Sequence, residues 1–338
     1  MEQNLSPDRP NVENEWRWIY CGIFCIIGIA IGLGTAYFLW KVDHLDRIPE
    51  IRDSSSGYRF INPLLDCDLG QEYLSNRISK PSSASLKKKI ELLKKDGDLV
   101  SASLYYRDLN NGPWVGIGEK MTFAPASLLK LPIMMYYFKL AELDPSILQQ
   151  KVVATPPSIQ TEQHFKPSES LETGKEYSII ELIEHMIRYS DNQATLILLG
   201  LSKESPINKV LQDLSIEMSK DMNGQPMITV RDYAVLFRVL FNASYLNPIF
   251  SEKALRLLSE SDFNHGMRGG IPSEILIAHK FGERELDADG LTQVHDCGIV
   301  YQFMKPYILC VMTRGKDPDR LAEIIADISK DVYQFVAK

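Results

Sequence analysis

Apolar and polar positions alternate along this chain in two periods, and the order in which those periods occur outlines the fold. A spacing of three to four residues runs from Ser85 through Leu86, Ile90, Leu92 and Leu93 and breaks at Gly97. Leu99–Arg107 and Pro113–Ile117 then read as strands, joined by a turn at Asn110-Asn111-Gly112, since Asn-Gly between apolar runs marks a hairpin. A long apolar helix is predicted from Pro125 to about Leu143. Helical spacing returns over Tyr177–Arg188, Asn192–Gly200, Ile207–Leu214, Ile228–Phe241 and Ser251–Ser259. Strand-like runs follow at Glu274–Gly282, Val294–Phe303 and Tyr307–Arg314, and a last helix spans Pro318 to about Val336. Strands from both ends of this region must join in one sheet. Their short connections favour antiparallel pairing, and the central helices form a second lobe.

Ahead of this region the pattern changes twice. Trp18 to Trp40 holds no charged residue. At about 1.5 Å per residue the run reaches roughly 35 Å, enough to cross a bilayer. Trp16, Trp18, Tyr37 and Trp40 sit at its ends, where aromatic belts form. Residues 1–17 read as a polar tail, 18–40 as an uncleaved transmembrane anchor, 41–84 as a linker, and 85–338 as the catalytic domain. Within the linker, Phe60-Ile61-Asn62-Pro63-Leu64-Leu65 is apolar enough to dock on that domain. Arg9 and Arg17 precede the span, while Lys41, Arg47 and Arg52 follow it, so charge does not choose an orientation.

Composition removes some classes of function. The 338 residues carry a net charge of −7 with no basic stripe interleaved with aromatics, which argues against nucleic acid as a partner. Five cysteines (Cys21, Cys25, Cys67, Cys297 and Cys310) give neither zinc spacing nor a disulfide framework. They read as free or buried thiols, with one pair among the last three able to form outside the cell. The histidines show no H-E-x-x-H spacing and no metal is expected. Gly266-Met267-Arg268-Gly269-Gly270 reads as a turn rather than a phosphate loop, and the G-x-S-x-G elbow of esterases is absent.

The chemistry resides in three triplets. Ser127-Leu128-Leu129-Lys130 places a hydroxyl and an amine three residues apart at a predicted helix start, hence on one face. Serine needs such a neighbouring base to act as a nucleophile. Ser190-Asp191-Asn192 follows, and then Lys280-Phe281-Gly282. Each alone is weak, since serines cap helices and lysines line strand edges; their order is the signal.

This ordered set resembles the penicillin-recognising serine enzymes, most closely the class A β-lactamase branch, whose signature is S-x-x-K, S-D-N and K-T-G. The resemblance covers about residues 85–338 and extends to the segments around the motifs, such as Asp296-Cys297-Gly298-Ile299-Val300-Tyr301. It implies an α+β fold of the β-lactamase/D,D-peptidase type, with a five-stranded antiparallel sheet flanked by helices and an all-helical lobe. It implies that Ser127 is acylated, that Lys130 is the base, and that Ser190 passes a proton to the leaving nitrogen. Asn192 would orient Lys130 and bind the substrate amide. Lys280 would attract a substrate carboxylate and assist Ser190. Gly282, Glu283 and Arg284 would line the substrate, with the Glu283 and Ser127 N–H groups forming the oxyanion hole. No cofactor is implied.

Two departures stand out. Phe281 replaces the family's threonine, whose hydroxyl helps bind the carboxylate; strand alternation puts Lys280, Gly282 and Arg284 on one face, so Arg284 is the candidate substitute. The segment from Ser190 to Met227 is short and lacks the E-x-x-L-N glutamate that activates the deacylating water; Glu204, Glu217 and Asp221 are the carboxylates available. The expected function is a membrane-anchored, extracytoplasmic bacterial serine hydrolase acting on a β-lactam or a related amide. A D,D-peptidase or penicillin-binding acyl transferase with slow deacylation is the alternative, and a non-catalytic wall-binding or sensor module the third.

Overall fold

A computed structural model describes residues 28–29, 32–35, 58–62, 81, 83–110, 113–156, 163–286 and 290–337. The chain divides into two units, residues 1–51 and 52–338. In the first, residues 28–29 and 32–35 are helical and exposed; the rest of the predicted anchor, like most of the tail and linker, lies outside the described residues. Among the described residues no helix is long and apolar enough to cross a membrane.

The second unit opens with helix α1 (Ser83–Lys95) and strands β1 (Leu99–Asp108), β2 (Trp114–Ile117) and β3 (Thr122–Phe123). A 3-10 turn at Ala126–Leu129 leads into α2 (Lys130–Ala141). Strands β4 (Lys151–Val153) and β5 (Glu176–Ser178), helices α3 (Ile179–Arg188), α4 (Asn192–Leu201) and α5 (Pro206–Asp213), strands β6 (Ser219–Lys220) and β7 (Pro226–Thr229), and helices α6 (Val230–Phe241), α7 (Pro248–Ser259) and the short α8 (Gly266–Gly269) follow. Strands β8 (Ile277–Leu286), β9 (Leu291–Val300) and β10 (Tyr307–Gly315) and helix α9 (Pro318–Val336) complete it.

The main sheet has five antiparallel strands in the order β2-β1-β10-β9-β8, as the pattern requires. Both of its faces are covered, which is why its strands read as nearly continuous apolar runs. Along β10, Tyr307, Leu309 and Val311 pack with Leu321, Ile324 and Ile328 of α9, while Ile308, Cys310 and Met312 belong to the core shared with the helical lobe. That is the two-residue period of a strand buried on both sides.

Local chemistry sets the helix boundaries. Ser178 and Glu181 form a reciprocal capping box that starts α3, so the helix begins two residues later than Tyr177. Thr229 caps α6 in the same manner, its hydroxyl accepting from the Asp232 N–H. Pro132 sits in the first turn of α2, where its missing N–H costs nothing. Almost every residue of α2 is buried, which makes it the central helix of the lobe.

Two expectations change. Cys297 and Cys310, placed directly opposite each other on β9 and β10, form a disulfide, so the five cysteines are not all free thiols and a pair left possible among the last three exists; sequence spacing gave no register to single it out. Strand β8 covers 277–286 rather than 274–282, because its C-terminal half is polar and carries no apolar signal. Phe60 and Ile61 do lie buried on the domain. The Glu252 carboxylate accepts the Arg59, Phe60 and Ile61 N–H groups at 2.7, 2.8 and 2.9 Å.

Candidate active site

The three triplets converge where α2, the α3–α4 junction and edge strand β8 meet. Lys130, on the first turn of α2 and only 3 % exposed, reaches the Ser190 carbonyl at 2.6 Å, the Ser190 hydroxyl at 3.0 Å and the Asn192 side-chain oxygen at 2.7 Å. Lys280, fully buried on β8, reaches the same Ser190 hydroxyl at 3.0 Å and the Phe281 carbonyl at 3.1 Å. One hydroxyl therefore lies between two amines, each within hydrogen-bond distance.

The Ser190 carbonyl and the Asn192 oxygen can only accept. Lys130 donates to both and to the Ser190 hydroxyl oxygen, whose second lone pair accepts from Lys280. Burial holds the Lys130 amine well below the ordinary lysine range, and the Lys280 charge adds to the effect against the pull of Asp191 and Glu283. Burial also lowers Lys280, to about 7, opposed by Asp296, Asp262 and Glu283. Its ammonium lies 4.3 Å from the centre of the Phe281 ring, a contact that favours the charged form.

Ser127 lies half-buried on the 3-10 turn rather than in the helix proper. Its hydroxyl makes no hydrogen bond among the described residues; all three Lys130 contacts go to Ser190 and Asn192. The turn is fixed from several sides. The Tyr233 hydroxyl donates to the Leu128 carbonyl at 2.9 Å. His295 Nε2 lies 3.0 Å from the Ala124 carbonyl, and its Nδ1 accepts from the Thr313 N–H at 3.3 Å. That pairing sets the proton on Nε2, and burial keeps the ring neutral, with a pKa of about 4. Ala126 and Ser190 both have positive φ, 49° and 56°. Left-handed backbone at non-glycine residues is costly and collects at functional positions.

Gly282 brings β8 against this turn. A Cβ there would lie 3.0 Å from the Pro125 carbonyl oxygen and 3.1 Å from the Leu128 nitrogen, so any side chain would press on the backbone of the turn. Since β8 is the edge of the sheet, its unpaired side is free to meet an extended ligand. The other predicted residues are less concentrated. The Glu283 carboxylate accepts the Phe165 N–H, 3.2 Å from each oxygen, and burial raises its pKa. Arg284 is half-buried, and its guanidinium makes no ion pair or hydrogen bond among the described residues. The Phe281 ring stacks on Phe263 at 3.9 Å, within a cluster that includes Phe165.

Several contributors carried no motif. Residues 163–170 border the site. Gln163 donates to the Ser190 carbonyl at 3.4 Å, Phe165 meets Glu283, and the Ser168 N–H meets Asp262. Nothing in the spacing of this polar segment distinguishes it from an ordinary loop. Asp191 does cap α4 through the Ala194 N–H, and its second oxygen holds the Leu171 N–H at 3.0 Å. The three carboxylates considered for deacylation are exposed. Glu204 accepts from the Tyr136 hydroxyl, and Asp221 closes the β6–β7 turn through the Asn223 and Gln225 N–H groups. Among the described residues no cluster of three or more His, Cys, Asp or Glu side chains is placed to hold a metal ion.

Residues 85–336 match the sequence profile of the beta-lactamase enzyme family. The chain belongs to this family. Its solved relatives include an acyl-enzyme complex of a PBP-A mutant with penicillin G, 26% identical, with a TM-score of 0.61 over 76% of this chain and 98% of that one. A class A β-lactamase from Mycobacterium abscessus (19% identical, TM-score 0.63, 73% and 97% covered) and the TLA-1 extended-spectrum β-lactamase (18%, TM-score 0.65, 75% and 99%) share the fold. No curated protein matches the chain in sequence. The beta-lactamase fold is thus established together with membership of a serine hydrolase family.

Proposed function

We propose that this member of the beta-lactamase family forms an acyl-enzyme at Ser127 and acts on a β-lactam or a D-alanyl-type peptidoglycan amide. The observation that carries the proposal is the shared Ser190 hydroxyl, 3.0 Å from both Lys130 and Lys280. Ser127 Oγ attacks the carbonyl carbon while its proton passes to neutral Lys130. The Ser127 and Glu283 N–H groups face the developing oxyanion. As the C–N bond breaks, the leaving nitrogen takes a proton through Ser190, and the chain from Lys130 and Lys280 resupplies it. Lys280, with Arg284 beside it on the same strand face, offers the positive charge for a substrate carboxylate that Phe281 cannot bind. We further propose that residues 18–40 anchor the protein in a bacterial membrane by a single pass, with this domain outside, where both substrate classes are met.

The settings of Glu204, Glu217 and Asp221 favour slow hydrolysis of the ester, the behaviour of a penicillin-binding or D,D-peptidase-type enzyme rather than of a fast β-lactamase. Stopped-flow mixing with a chromogenic cephalosporin tests this. The expected trace is a burst of one equivalent followed by slow turnover, with no burst in Ser127→Ala. Fast linear turnover contradicts the slow step, and the absence of any burst contradicts the acyl-enzyme.

A further inference from the structure

A cavity of about 400 Å³ lies at the opposite edge of the main sheet from this site, between α6 and strands β1 and β2. Four strand spacings of about 4.8 Å separate β2 from β8, so the two sites are roughly 19 Å apart across the sheet. Its walls are basic. Arg107 projects from β1 on the same face as Tyr105, with Trp114 of β2 paired opposite it. Arg231 and Arg238 stand seven residues apart on α6, which places them on one side of the helix two turns apart. Lys120 supplies a fourth cation from the rim.

None of these four side chains makes an ion pair or hydrogen bond among the described residues. The Arg231 guanidinium instead lies 5.1 Å above the Trp114 ring, which also stacks on Tyr105 at 5.8 Å. Two carboxylates share the lining, Glu119 and Asp232. Asp232 is already engaged, accepting from the Thr229 hydroxyl at 2.6 Å. Three guanidinium groups thus face one concavity without a direct ion pair among the described residues, on a chain whose net charge is −7. Like charges gathered in this way repel one another, and an arginine fork matches the oxygens of an anion.

We propose that this cavity is a second, separate binding site for a doubly charged phosphate group, as a phosphate monoester or inorganic phosphate. Charge decides the class. Four cations against two carboxylates leave an excess of two, which a phosphate carrying about −1.5 to −2 charge neutralises; a monocarboxylate leaves the excess half unmet. Tetrahedral oxygens can meet forks arriving from β1 and from two turns of α6 together. The Trp114 ring, in contact with Arg231 and Tyr105, forms one wall of the cavity. The site is independent of Ser127 chemistry.

Calorimetric titration of the full chain in a neutral detergent, with inorganic phosphate as the probe, tests the proposal. Saturable binding is expected, with Arg238→Gln weakening it about tenfold to a hundredfold, the worth of one charge-assisted contact. Lys120→Gln on the rim, which leaves α6 untouched, is expected to weaken it by a smaller factor, and acetate at equal ionic strength is expected to give no saturable signal. Mixed micelles containing phosphatidic acid identify the source: competition with phosphate assigns a lipid headgroup, and phosphate binding without such competition assigns a soluble phosphate. Three results overturn the site: no saturable binding, unchanged affinity in both variants, or acetate binding equal to that of phosphate.

Discussion

The Ser190 hydroxyl oxygen accepts from both Lys130 and Lys280, which leaves its own proton free to be passed on. Burial pulls both amines below the ordinary lysine range, which raises the neutral fraction of each at a given pH. The pH dependence follows. The Lys280 pKa is lowered to about 7, so its charged form dominates below that value and is lost above it. Lys130, held well below the ordinary lysine range by burial and by the Lys280 charge, is neutral over a wider range of pH than a surface lysine. The rate of Ser127 acylation is therefore expected to fall as pH rises through about 7, and Lys280→Arg, with a guanidinium that stays charged, is expected to abolish that fall. A rate that stays level well above neutrality in the parent protein contradicts the assignment. These residues were legible in the sequence because each belongs to a triplet whose order is itself unusual. Gln163, Phe165 and the second role of Asp191 were not, because their partners are separated from them by segments of no fixed spacing.

At the scale of elements, the site depends on a turn, a helix junction and a strand edge held in register. Gly282 is the position where β8 touches the turn that carries Ser127. Gly282→Ala introduces a methyl carbon about 3.0 Å from the Pro125 carbonyl oxygen and is expected to move the strand away. On the proposed mechanism the Glu283 N–H then leaves the oxyanion site it shares with the Ser127 N–H. Acylation is expected to slow by about 10²-fold, the usual effect of one missing oxyanion donor, with melting temperature changed far less. Unaltered acylation contradicts the role given to β8. The helices and long strands were readable from their periods, since each buries one face or both. The two- and three-residue strands β3, β4, β5 and β6 were not, because so few residues carry no period. The disulfide was hidden for a related reason: opposition of Cys297 and Cys310 is a property of strand register, and a separation of 13 along the chain does not encode it.

For the whole molecule, the five-stranded sheet and the helical lobe were implied by the order of apolar runs, and the beta-lactamase family accounts for both. What the order did not give is how the segment before the domain attaches to it. One carboxylate, Glu252, gathers three consecutive backbone N–H groups of residues 59–61, and Phe60 packs edge-on against Tyr301 at 5.6 Å. Glu252→Ala is expected to release this segment, seen as faster proteolytic cleavage near Phe60 while the domain itself stays resistant; an unchanged cleavage rate contradicts the clasp. The central claim, that the converged triplets exist to esterify Ser127, is tested most directly by intact-protein mass spectrometry after incubation with benzylpenicillin, followed by peptide mapping. The account predicts a long-lived adduct of one penicilloyl group on the peptide containing Ser127, absent in Ser127→Ala. An adduct on any other residue, or no adduct with benzylpenicillin or with D-alanyl peptide analogues, contradicts it.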